Sequence, residues 1–174
     1  MANARGKKVD TTYLSIDNAE ERGFLHRDYI AHCLRWSHVV KYLGTSQRYK
    51  SARVLDVGCG KEMPLSKLLH SSRMGTAWYG AVDVAPLVTP EQFRNASWKP
   101  HKLWSKTDVC TLKPDDFEAP PTAIVCFEVA EHVEPDHCRR MLAKFYELLE
   151  DEGRVFISTP CYDAHTGAAA NHVN

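Results

Sequence analysis

The chain has 174 residues, 44% hydrophobic and 25% charged, with 22 basic side chains balanced by 22 acidic ones. That length suits one compact domain with a sizeable core and leaves no room for a second full one. The even charge argues against tight nonspecific binding to nucleic acid, and no apolar run resembles a membrane span or the core of a signal peptide.

Six cysteines, Cys33, Cys59, Cys110, Cys126, Cys138 and Cys161, lie scattered mostly in apolar runs with no CxxC pair. This speaks against a disulfide framework or a thiolate zinc site and for a reducing, cytoplasmic setting. The charge is unevenly spread: residues 1–53 carry ten Lys or Arg against five acids, and residues 108–174 carry five against thirteen. A basic first third can draw a phosphate-bearing substrate, although solvated helix faces carry such biases as well.

The chain reads as one unit: a helical extension over 1–50, an α/β core over 51–160, and a loop or tail over 161–174. From Asp17, a candidate N-cap, to Leu43, apolar residues at Tyr29, Ile30, Cys33, Trp36, Val40 and Leu43 predict an amphipathic helix, broken near Gly23 and ended by Gly44. "RVLDV" predicts a short buried strand, and Pro64 opens a helix with Leu65, Leu68 and Leu69 on one side. "AWYGAVDV" predicts a second strand and "TAIVCF" a third, with a weaker one near Leu103 to Val109. A helix from Pro135 is closed by Gly153, and "RVFIS" follows as another strand. Strands alternating with helices predict a doubly wound, mainly parallel α/β sheet, with ligands at the carboxyl ends of the strands.

The first such end reads "VLDVGCGKEM". Gly58 and Gly60 allow positive φ and a close backbone approach to a ligand. A dinucleotide fingerprint would want a third glycine where Met63 stands, and Asp56 would repel a pyrophosphate, so a nicotinamide cofactor is disfavoured. Asp56 suits a ligand that carries positive charge.

With this acid, "VLDVGCG" resembles the first motif of the class I S-adenosylmethionine-dependent methyltransferases, and the resemblance extends over about residues 50–160. The family usually has a further glycine where Glu62 stands. The resemblance implies a Rossmann-like fold and S-adenosyl-L-methionine held by Asp56, Gly58, Cys59, Gly60, Asp83, Val84, Asp108, Val109 and Phe127. Asp83 would accept from both ribose hydroxyls, and Asp108 from the adenine amino group, with the Val109 amide on the ring. Taken singly, either acid could instead be a turn or capping Asp. Cys59 reads either as a reactive thiol or as a small spacer in a tight turn.

"CFEVAEHVEP" places Glu128, Glu131 and His132 on one face if a helix starts at Phe127 or Glu128. This resembles the E-x-x-E-H element of ubiquinone-pathway O-methyltransferases and of terminal 2′-O-methyltransferases of small RNAs. It implies a divalent metal, magnesium or manganese, held by Glu128, Glu131, His132 and a later histidine, for which His172 is preferred over His165. The competing reading makes His132 a general base without metal. Glu131 and His132 are the candidate catalytic residues in either case.

The expected reaction is in-line transfer of a methyl group to an oxygen of a small molecule or nucleotide. RNA or DNA is the alternative acceptor, and a silent cofactor-binding subunit needing a partner is a further one. Trp36, Trp78, Trp98 and Trp104 could include a residue that stacks on substrate, though core packing is the default for each. Complete domains of the family continue past the fifth strand with a helix and two antiparallel strands, whereas this chain stops at Asn174. The sheet is therefore expected to lack its last strand pair. The chain would then be a truncated or minimal enzyme, or the edge would be covered by a partner chain or a second copy.

Overall fold

The computed structural model describes residues 27–45, 51–61, 63–71, 76–87 and 99–159. Five strands form one sheet in the order β3-β2-β1-β4-β5, with β1 Ala52–Val57, β2 Thr76–Asp83, β3 Lys102–Ser105, β4 Ala123–Phe127 and β5 Arg154–Ser158. Every neighbouring pair is parallel. The helices are α1 Arg27–Thr45, α2 Pro64–Ser71 and α3 Pro135–Leu148.

The central strands β1, β2 and β4 are largely buried on both faces, so their alternation sorts one apolar set from another. Val54, Tyr79, Ala81, Ala123 and Val125 face Val39 and Leu43 of α1 and Leu65 and Leu69 of α2. Leu55, Val57, Val82, Ile124 and Cys126 face Met141, Phe145 and Leu148 of α3. The continuous apolar runs of β1 and β4 are what a parallel strand covered on both sides requires.

Three element boundaries differ from the expectation. The helix α1 passes through Gly44 to Thr45, whose hydroxyl donates to the carbonyls of Lys41 and Tyr42 and closes the last turn. Its buried side chains are Val39 and Leu43, while Ile30 stands exposed; the expected stretch from Asp17 to Gly23 lies outside the described residues. The helix α3 ends at Leu148, five residues before Gly153, because Leu149 takes an extended conformation. The weak strand near Leu103 is shorter than expected, since Asp108 caps a 3-10 turn over Val109–Thr111 that takes the chain out of the sheet.

At the amino ends of the strands the chain is cross-braced. The Arg53 guanidinium donates to the Pro120 carbonyl and to Glu150 Oε2, both at 2.6 Å. Thr122 meets the Arg53 backbone through both its amide and its hydroxyl. No helix among the described residues is long and apolar enough to cross a membrane.

Candidate functional site

The strand order reverses between β1 and β4, and at such a reversal the loops leaving the two strands diverge and open a crevice. Both loops bear on this crevice and touch at its base. Gly58, at φ +70°, approaches Val129 so closely that a Cβ on it would lie 2.3 Å from Val129 Cγ2. Gly60, at φ +65°, has none of the described residues within 4 Å of a built Cβ. A ligand can therefore lie against its backbone, as the glycine pattern predicts.

Asp83 ends β2 beside this loop. Its Oδ2 accepts from the Gly60 amide at 3.0 Å and its Oδ1 from the Ala85 amide at 2.8 Å. The carboxylate so ties the tip of one strand to the loop of the next, and each oxygen keeps a lone pair for a further donor. Val84 beyond it is 73% exposed.

Asp56 is only 6% exposed and sits on the α1 side of the sheet, where Tyr79 donates its hydroxyl to Oδ2. Burial raises its pKa from 3.8 to about 7; the Tyr79 hydrogen bond opposes this, and the charge of Asp83 adds to it. The sequence offers no local signal for this partner, which reads as one more apolar position of β2. Cys59 is buried, and burial together with Asp56 and Asp83 pushes its thiol far up. That makes it a protonated spacer rather than a reactive thiol.

On the far side of β2, the Asp108 side chain accepts from the Cys110 amide at 2.9 Å, and its Oδ2 lies 3.4 Å from His137 Nε2 of α3. Val109 is buried beside it. Trp78 and Trp104 pack edge to face with each other and around Phe117, and Trp36 stacks on His32; Trp98 lies outside the described residues.

The loop after β4 departs from the expected geometry. No helix starts at Phe127 or Glu128; Glu128 takes φ +57° and a 3-10 turn forms only over Ala130–His132. Glu128 is thereby turned toward α1 and β5, where Arg35 approaches its carboxylate to 3.3 Å and Ser158 donates to it at 2.9 Å. Glu131 points inward at 3% exposure, and His132, 39% exposed, holds Nε2 3.8 Å from Glu131 Oε1. Glu131 and His132 are thus together, with Glu128 bound separately.

Among the described residues the only metal-type grouping within 4.8 Å is Asp108, Cys110 and His137. The expected set of Glu128, Glu131 and His132 does not form one, because Arg35 and Ser158 claim Glu128; His165 and His172 lie outside the described residues. Phe127, half-buried, packs against the core below this loop.

Known proteins with the same organisation support the fold. Residues 26–173 match a family described as a methyltransferase domain. A ubiquinone biosynthesis O-methyltransferase of Xanthomonas euvesicatoria pv. vesicatoria is 30% identical over 125 residues, covering 69% of this chain and 48% of that protein. The chain thus spans about half the length of this curated relative. The 1,6-didemethyltoxoflavin-N1-methyltransferase of Burkholderia thailandensis, solved with 1,6-didemethyltoxoflavin and S-adenosylhomocysteine, superimposes with TM-score 0.57 at 24% identity, over 86% of this chain and 61% of that one. The N-methyltransferase NodS of Bradyrhizobium japonicum, solved with S-adenosyl-L-homocysteine, superimposes with TM-score 0.52 at 19% identity, over 75% and 60%. Both likenesses are of fold.

Proposed function

Because this chain belongs to the methyltransferase-domain family, we propose that it binds S-adenosylmethionine in the crevice between β1 and β4 and transfers its methyl group to an oxygen of a small molecule or nucleotide. The observation that carries this reading is the Gly60 amide held by Asp83 across the ends of β1 and β2, with none of the described residues within 4 Å of a Cβ on Gly60. It leaves a backbone surface for the ligand's methionine part beside a carboxylate suited to ribose hydroxyls.

The residues present fit the cofactor. Asp56, ionised when a cation approaches, balances positive charge behind the Gly58 to Gly60 turn. Asp83 directs its remaining lone pairs to the ribose, and Asp108 with the Val109 amide faces the adenine. When bound, S-adenosylmethionine supplies a methyl group on a sulfonium, open to in-line displacement. In this reading His132, partly exposed and beside buried Glu131, takes the acceptor's proton, and Glu131 orients and stabilises the imidazolium that results. No step runs through a magnesium or manganese ion, since Arg35 and Ser158 hold Glu128 apart from the other two residues.

The test is calorimetric titration with S-adenosylmethionine and with NAD, followed by transfer assays on phenolic small molecules, nucleotides and RNA. Selective S-adenosylmethionine binding with transfer to a small hydroxyl acceptor is expected; retention of NAD alone would sink the reading. Transfer to RNA only would move the acceptor to nucleic acid, for which the basic first third of the chain speaks. A subunit completed by a partner is the second reading, favoured by exposed Val155 and Ile157 on the edge strand β5. It predicts cofactor binding with no transfer until another chain is added.

A further inference from the structure

We propose that Asp108, Cys110 and His137 form a site for a zinc-like divalent ion at the adenine end of the crevice. A carboxylate, a thiol and an imidazole are the donor types that zinc takes. His137 Nε2 lies 3.4 Å from Asp108 Oδ2 and 3.8 Å from Cys110 Sγ, and all three donor atoms lie within 4.8 Å of one another. A tetrahedral ion with zinc–sulfur contacts of about 2.3 Å and zinc–nitrogen or zinc–oxygen contacts of about 2.0 Å sets neighbouring ligands roughly 3.3 to 3.6 Å apart. The three side chains already stand close to those edges.

Local structure holds them there. Asp108 commits Oδ1 to the Cys110 amide, which leaves Oδ2 directed at His137 and fixes the thiol two residues along the same turn. His137 belongs to the first turn of α3, which is anchored by Met141 and Phe145 in the core. The side chains of His137 and Asp108 are 27% and 35% exposed, so an ion can enter and keep a water as fourth ligand.

Binding requires two adjustments. The Cys110 thiol gives its proton to solvent on binding, against burial and the Asp108 carboxylate, which both push its pKa up. His137 must carry its proton on Nδ1, so Arg140, 3.1 Å from that atom and on the exposed side of α3, turns into water. Arg140 is therefore a competitor of the ion.

One consequence rests on the cofactor reading above. An ion on Asp108 Oδ2 withdraws that oxygen from the adenine amino group, so ion and S-adenosylmethionine oppose each other, and by linkage each weakens the other equally.

The test uses the full chain, stripped with chelator and titrated with cobalt(II). Expected are a thiolate-to-cobalt charge-transfer band and tetrahedral d–d absorption, both erased by one equivalent of zinc. Cys110→Ser removes the charge-transfer band. His137→Gln weakens binding by more than the roughly 10- to 100-fold that loss of an outer-shell partner costs, and Arg140→Gln tightens it. Absence of the band, or a band that survives in Cys110→Ser, overturns the site; His137→Gln alters a partly exposed residue and reports even if Cys110→Ser folds poorly. If the band forms while S-adenosylmethionine fails to bind with or without zinc, the ion site stands and the cofactor reading falls. If both bind without opposing each other, the ion site stands and the adenine role of Asp108 falls.

Discussion

Tyr79 donates its hydroxyl to Asp56 from the neighbouring strand, reaching up from two residues below the register partner of Asp56, and both side chains are buried. The carboxyl is thereby kept out of water on the α1 side of the sheet yet supplied with one donor. Its pKa of about 7 in the fold, against an ordinary 3.8, means that between those values the folded chain holds a proton that the unfolded chain has lost. Stability must then fall as pH rises through that interval, and level off above it. Urea unfolding across the interval checks this: the wild type loses stability and Asp56→Asn stays flat. A wild-type stability that climbs there would contradict the burial argument.

The two glycines of the loop carry different constraints. Gly60→Ala meets only the left-handed backbone, about 1 to 2 kcal/mol, because none of the described residues lies within 4 Å of a Cβ there. Gly58→Ala adds a clash with Val129 and should cost distinctly more, part of which Val129→Ala in the same chain recovers. Denaturant midpoints decide it, and equal losses at the two positions would show that Val129 yields freely. The alanine at Gly60 occupies ligand space, so cofactor affinity should drop further than stability does.

Asp83→Ala removes the tether to the Gly60 and Ala85 amides together with the acceptor proposed for the ribose hydroxyls. Loss of hydrogen bonds to a charged acceptor is worth about 1.5 to 3 kcal/mol. That is roughly a ten- to hundredfold weaker affinity for S-adenosylmethionine by calorimetry. Unchanged affinity would remove Asp83 from the cofactor site.

His132→Ala should leave cofactor affinity within about twofold and lower transfer by roughly 10² to 10⁴, the usual contribution of a general base. Single-turnover transfer with saturating cofactor measures it. A fully active variant would show that another group takes the proton.

What could be read from the sequence divides by the range of the interaction. Apolar runs and turn residues are local, so β1, α2, β4 and the glycine loop are legible, as is the clustering of Gly58, Gly60 and Asp83 at adjacent strand ends. The pairings of Tyr79 with Asp56 and of His137 with Asp108 span 23 and 29 positions and depend on strand order and helix placement, which no short pattern encodes. Glu128 misled for a different reason. The spacing E-x-x-E-H assumes a helix from its first residue, whereas Arg35 and Ser158 hold Glu128 in a left-handed turn and delay the helical turn to Ala130. His165 and His172 fall outside the described residues, as does the stretch from Asp17 to Gly23.

The Arg53 brace has a practical corollary for anyone handling this molecule. It closes the pole of the sheet opposite the crevice, joining β1, the approach to β4 and the turn before β5 through one guanidinium and one threonine. A dye, linker or immobilising surface attached around Asp151 would therefore sit on a pole that ligand traffic does not cross. The glycine loop would remain accessible to titration while the protein is held from behind.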